Sequence, residues 1–216
     1  CYERSVGGAY WSLQDFMDRV SISVEQLRLL VRIGAFRFTG RSKKQLLWDI
    51  HMIAGNKSKT NPLPQLFAEP SAAYALPDLQ HHRYENALDE MDILGFPLCS
   101  PFDLISEKVP PSTVLSVDMG QYKGRSITML GYLVTIKPTR TIKGEEMCFG
   151  TWIDAQGVFF DTTHFPNTNR QYPFRGSGCY LITGIVDDDF DACSLRVQHM
   201  RKLGWINHQT LYATAS

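Results

Sequence analysis

The residues with the most legible chemistry are a group of cations beside a glycine corner. Ile33-Gly34-Ala35-Phe36 is followed by Arg37, Arg41, Lys43 and Lys44. Glycine lets a backbone approach a ligand closely, and N–H groups at a hairpin and at a following helix start favour an anion. Lys and Arg nearby add charge that holds a nucleic-acid backbone without reading its sequence. A glycine corner is common to many helix–turn–helix bends, and clustered cations also suit a solvated face, so these residues leave both readings open.

A second group is aromatic. Phe149, Trp152, Phe159 and Phe160, with Arg140 and Lys143 on an adjoining loop, are of the types that stack bases and hold phosphates. Strand alternation sets Phe149 opposite Trp152 and Phe159 opposite Phe160, so about half of them belong to a core. Arg140, Lys143, Trp152 and Phe159 are the expected single-strand contacts.

Catalytic chemistry is not legible. Asp161 and His164 are three apart on an expected strand, which puts them on opposite faces and favours a structural histidine. His81-His82 lacks two further ligands at zinc spacing. Asp187, Asp188, Asp189 and Asp191 read as a solvated turn. There is no phosphate-loop, nucleophile-elbow or dinucleotide motif. The expected catalytic and metal residues in this segment are none.

The elements that must position these groups follow from the pattern of the chain. Its 216 residues are 44% hydrophobic, enough for one or two domains with real cores. The zero net charge hides an asymmetry. Residues 1–60 carry ten Lys/Arg against five Asp/Glu, 61–112 two against eight, and 113–216 ten against nine. Basic and acidic blocks side by side suggest parts with different partners. No apolar run is long enough to span a membrane. The five cysteines form no C-x-x-C pair and read as reduced thiols of a cytoplasmic protein. The chain starts Cys-Tyr-Glu-Arg, which reads as a piece of a longer protein.

Residues 1–60 read as helices. Ser12 with Asp15, Ser23 with Gln26 and Ser42 with Gln45 are helix-start signals, each followed by apolar residues at helical spacing. Gly34 suits a helix C-terminus, and Gly55-Asn56 is expected to end the third helix. Residues 61–112 form an acidic connector. Prolines at 62, 64 and 70 keep its first part extended, presenting Leu63, Leu66 and Phe67, and an acidic helix over 83–94 ends at Gly95. Residues 113–208 read as five strands, with a bend or bulge at Gly131 and an irregular or helical piece near 167–174. That order matches a five-stranded Greek-key OB barrel; another small barrel or an SH3-like roll is the alternative. The expected class is α+β, with a tail at 209–216.

The combination resembles a known family. Ser12–Phe16, Leu30–Ser42 and Gln45-Leu-Leu47 resemble the helix-hairpin-helix region of the bacterial replicative DNA polymerase III alpha subunit. Ile93-Leu-Gly-Phe-Pro-Leu98 resembles its helix end before the OB domain. Thr139–Glu145, Phe149-Gly-Thr-Trp-Ile-Asp154 and His164-Phe-Pro166 are similar to that OB domain. The resemblance implies a non-catalytic C-terminal part of a DNA polymerase whose catalytic aspartates, and the Mg²⁺ they need, lie upstream. Ile33, Gly34, Ala35, Arg37, Arg41, Lys43 and Lys44 would hold duplex DNA, and the OB domain single-stranded template. Leu63, Gln65, Leu66 and Phe67 fall where the family binds the sliding clamp, although Leu63 stands where the family has Gln. Other replisome subunits would be partners too.

Overall fold

The computed structural model describes residues 2–57, 84–189 and 192–207. Leu63, Gln65, Leu66, Phe67 and the His81-His82 pair lie outside them. The chain divides into two units, Cys1–Leu98 and Cys99–Ser216.

The first unit is helical: α1 (Tyr2–Gly7), α2 (Leu13–Arg19), α3 (Val24–Arg32), α4 (Lys43–Lys57) and α5 (Glu85–Leu94). The serine signals act as expected. Ser12 Oγ accepts from the Asp15 amide at 3.0 Å and starts α2. Ser23 and Gln26 exchange bonds of 3.1 and 3.2 Å at the start of α3. Ser42 and Gln45 repeat that capping box ahead of α4. Such caps satisfy amides that have no intrahelical partner and contribute about 1 kcal/mol each. Residues four apart, Leu27 with Val31 and Leu46 with Ile50, then bury against Leu13 and Phe36. α4 does not stop at Gly55-Asn56 but continues to Lys57; an interior glycine costs only about 1 kcal/mol relative to alanine. α1 has no counterpart in the sequence-based expectation.

The second unit is a closed barrel of β1 (Ser126–Arg140), β2 (Glu146–Ile153), β3 (Phe159–His164), β4 (Cys179–Asp189) and β5 (Ala192–Lys202), with α6 (Pro166–Gln171) between β3 and β4. The strand order is β1-β2-β3-β5-β4, closed by β1 on β4. Every pairing is antiparallel except β3 with β5. That closure, with one parallel pair and a helix after β3, is the OB arrangement and not an SH3-like roll. Asp187 and Asp188 belong to β4, not to a turn.

β1 serves both halves of the barrel. Ser126–Tyr132 pairs with β4, and Tyr132–Arg140 pairs with β2. The irregularity between the two runs lies between Leu133 and Thr135, so the bulge is not at Gly131. Gly131 serves a different purpose. A Cβ there would sit 2.7 Å from the Phe160 ring and 3.1 Å from Trp152 Cβ. The missing side chain is the space these two rings occupy. Trp152 stacks on Phe160 and Phe174, meets Tyr180 edge-on, and packs with Met129, Ile182 and Leu195 in the barrel core.

Candidate nucleic-acid interface

The glycine corner is built by the end of α3. Gly34 has φ +74°, a conformation that glycine adopts without strain. The Gly34 amide donates to Val31 O at 3.0 Å and the Ala35 amide to Leu30 O at 2.9 Å. This is a Schellman closure of the helix. The Ile33 amide donates to Leu29 O and the Arg37 amide to Gly34 O. The expectation that the hairpin offers these amides to a phosphate is therefore corrected, because each already has a backbone acceptor.

The cations of the corner are also engaged. Arg32 donates two bonds to Asp89 Oδ1, at 3.0 and 2.7 Å. Lys43, expected on the DNA, is buried and pairs with Asp89 Oδ2. Arg37 pairs with Glu90, whose other oxygen accepts the Leu98 amide at 2.8 Å. Lys44 lies 3.3 Å from Glu85. Arg41 pairs with Asp49 on α4. Four of these five cations meet carboxylates of α5; of the four that the sequence assigns to phosphate, Arg37, Lys43 and Lys44 are engaged by that acidic helix and Arg41 is not. Burial pushes the Asp89 carboxyl up, but hydrogen bonds and charge from Lys43 and Arg32 outweigh it and hold it below the usual carboxylate range.

The barrel offers a different surface. Along β2, Gly150 and Trp152 point inward while Phe149 is exposed; along β3, Phe160, Thr162 and His164 point inward while Phe159 and Asp161 are exposed. Trp152, an expected base-stacking residue, does not reach this surface. It is fully buried, and its indole N–H donates to Thr162 Oγ1 at 2.7 Å. Phe149 holds the outward position instead. A signal for this lies two residues before the indole: a Cβ on Gly150 would lie 2.8 Å from Trp152 Nε1, so glycine marks the inward face.

Phe159 is 61% exposed, as a stacking platform requires. The turn before it is pinned by Asp154, which accepts from the amides of Gln156 and Val158, and from the amide and hydroxyl of Ser116. Burial pushes this carboxyl up, and those four bonds hold it down. Arg140 and Lys143 are exposed at the β1–β2 hairpin, whose turn closes through Gly144 N–H to Thr141 O at 2.8 Å. Sequence reasoning misses Lys137, which pairs with Phe149 across the same hairpin. Counting back from the turn would find it. Lys137, Arg140 and Lys143 have no ion-pair partner among the described residues.

Asp161 and His164 do not converge. Asp161 is exposed and accepts from Thr151 Oγ1 at 2.7 Å. His164 is sealed in the barrel, with Nε2 2.8 Å from Thr162 Oγ1 and its ring 4.5 Å from Phe174. Burial depresses it to about 4. Among the described residues no group of three or more His, Cys, Asp or Glu side chains is placed to hold a metal ion. No helix among them is long and apolar enough to cross a membrane.

A family model described as a helix-hairpin-helix motif matches residues 1–46. No curated protein matches the chain. Among solved structures, the chain is similar to U. maydis replication protein A bound to single-stranded DNA, at 14% identity over 50% of this chain and 87% of that one, with a TM-score of 0.31. It is similar to the second OB-fold domain of replication protein A from Methanococcus maripaludis, at 11% identity over 40% of this chain and 91% of that one, with a TM-score of 0.28.

Proposed function

We propose that the chain binds single-stranded nucleic acid on the outer face of β1, β2 and β3. The observation that carries this is the exposure of Phe149 and Phe159 on one face with Lys137, beside the Arg140 and Lys143 hairpin. Exposed aromatics accept the faces of unpaired bases, and cations without carboxylate partners hold the phosphates. Anisotropy of a fluorescent oligonucleotide titrated with the whole chain tests it. Binding should fall with salt, and Phe149→Ala with Phe159→Ala should weaken it at least tenfold. Unchanged affinity in that double variant would remove the barrel face from the reading.

The wider reading is a non-catalytic C-terminal part of a replicative DNA polymerase alpha subunit. The order of its motifs, and a helix-hairpin-helix match ahead of an OB barrel, support it. Polymerisation and Mg²⁺ would belong to the rest of that protein, while duplex DNA, the sliding clamp and other replisome subunits would be partners. Leu66→Ala with Phe67→Ala should abolish pull-down of the clamp; full retention would argue against a contact there.

A stand-alone nucleic-acid-binding adaptor is the second reading. The engagement of Arg37, Lys43 and Lys44 by α5 favours it, because the duplex grip of a polymerase needs those cations. A strong preference for single strands over duplex would support the adaptor, and tight duplex binding the polymerase part.

A further inference from the structure

Between the two exposed rings lies a carboxylate on a face otherwise suited to a polyanion. Ile153 pairs with Phe159, Thr151 with Asp161, and Phe149 with Thr163. The rings therefore stand at diagonal corners of a six-residue patch, with the Thr151–Asp161 pair at its centre. The offset along the strands is four residues, about 13 Å at ~3.3 Å each. That is well beyond the ~3.4 Å step between stacked neighbours on one strand. Bases resting on Phe149 and Phe159 cannot be stacked on each other, and a base between them lies over Thr151 and Asp161.

Thr151 Oγ1 donates to Asp161 Oδ1, which fixes the carboxylate. Oδ2 has no partner among the described residues. An aimed carboxylate oxygen repels phosphate and accepts from N–H groups. It thus turns the sugar-phosphate spine toward Lys137 and the Arg140/Lys143 hairpin and meets the edge of the central base. We propose that Asp161, positioned by Thr151, selects a base with an exocyclic amino group at this central place, so that the face prefers amino-bearing bases to thymine. Cytosine and adenine present an N–H₂ donor to such an acceptor. Thymine offers its ring N–H only between two carbonyl oxygens, which the carboxylate repels.

The inference rests on the single-strand reading above, and the experiment separates the two. Anisotropy with the whole chain compares oligo-dC and oligo-dT of equal length at neutral pH. Wild type should bind oligo-dC about fivefold more tightly, the low end of discrimination by base-edge hydrogen bonding. Asp161→Asn keeps the acceptor for Thr151 and replaces the free oxygen with a donor; the preference should vanish or invert toward oligo-dT. Thr151→Val should reduce the preference without abolishing binding, because it only loosens the carboxylate. Equal affinity of wild type for the two oligonucleotides, with binding still weakened in Phe149→Ala, would overturn the Asp161 inference and leave the single-strand reading standing. A preference that survives Asp161→Asn would overturn it as well. Failure of wild type to bind either oligonucleotide would overturn both.

Discussion

Lys137 on β1 and Phe149 on β2 are direct cross-strand partners, both exposed on the outer face of the barrel. A directly opposed pair brings side chains within about 5 Å at Cβ. On the single-strand proposal the ammonium and the ring would address one nucleotide, the cation its phosphate and the ring its base. Phe149→Ala should reduce single-strand affinity by about 1–3 kcal/mol with little change in salt dependence. Lys137→Ala should lower the slope of log affinity against log salt by about 1. Titrations at several salt concentrations separate the two effects. An unchanged slope in Lys137→Ala would place its charge away from phosphate.

Trp152 is a stability residue. Trp152→Ala removes the ring at the centre of the Phe160, Phe174 and Tyr180 packing and deprives Thr162 of a donor. Large-to-small changes of this kind cost about 3–5 kcal/mol. Thermal or denaturant unfolding should show that loss in the barrel. A variant with wild-type melting but lost nucleic-acid binding would restore Trp152 to the interface.

His164 makes the barrel sensitive to mild acid. Its folded value of about 4 lies below the ordinary 6.5, so the unfolded chain takes up a proton that the folded one refuses. Its contribution is complete above pH 6.5 and is lost as pH falls from there toward 4. The loss is on the order of 3 kcal/mol, at about 1.36 kcal/mol for each pH unit. Melting at neutral pH and at a pH near the folded value should differ strongly in wild type and less in His164→Gln. Equal differences in both proteins would count against His164 as the cause.

Asp89 is predicted to hold the hairpin of the first unit together. Asp89→Asn leaves buried Lys43 and its neighbour Arg32 without their shared carboxylate, and breaking a buried pair in this way costs about 3–5 kcal/mol. Lys43→Ala should likewise lower the melting temperature more than it lowers duplex affinity. The folded Asp89 value is depressed, so its contribution is present above the ordinary value of 3.8 and is lost as pH falls below it. A Lys43→Ala protein that melts normally and binds duplex poorly would return this residue to the DNA.

Local signals carry much of the fold in the sequence. Ser12, Ser23 and Ser42 declare helix starts because a cap needs only a partner three residues away, and Gly34 declares an end because only its own backbone angle is at issue. Strand alternation likewise separates Phe149 from Trp152 and Phe159 from Phe160 by spacing alone. It does not say which partner of each pair faces out. That is decided in three dimensions, where Gly131 on β1 and Gly150 on β2 open the space that Trp152 and Phe160 fill. The fate of the basic corner is decided there too. Arg32, Arg37 and Lys43 meet carboxylates 57, 53 and 46 residues away, on a helix whose acidity is plain in the sequence but whose docking place is not. Charge is written in the sequence, whereas its neutralisation depends on which distant surface arrives beside it.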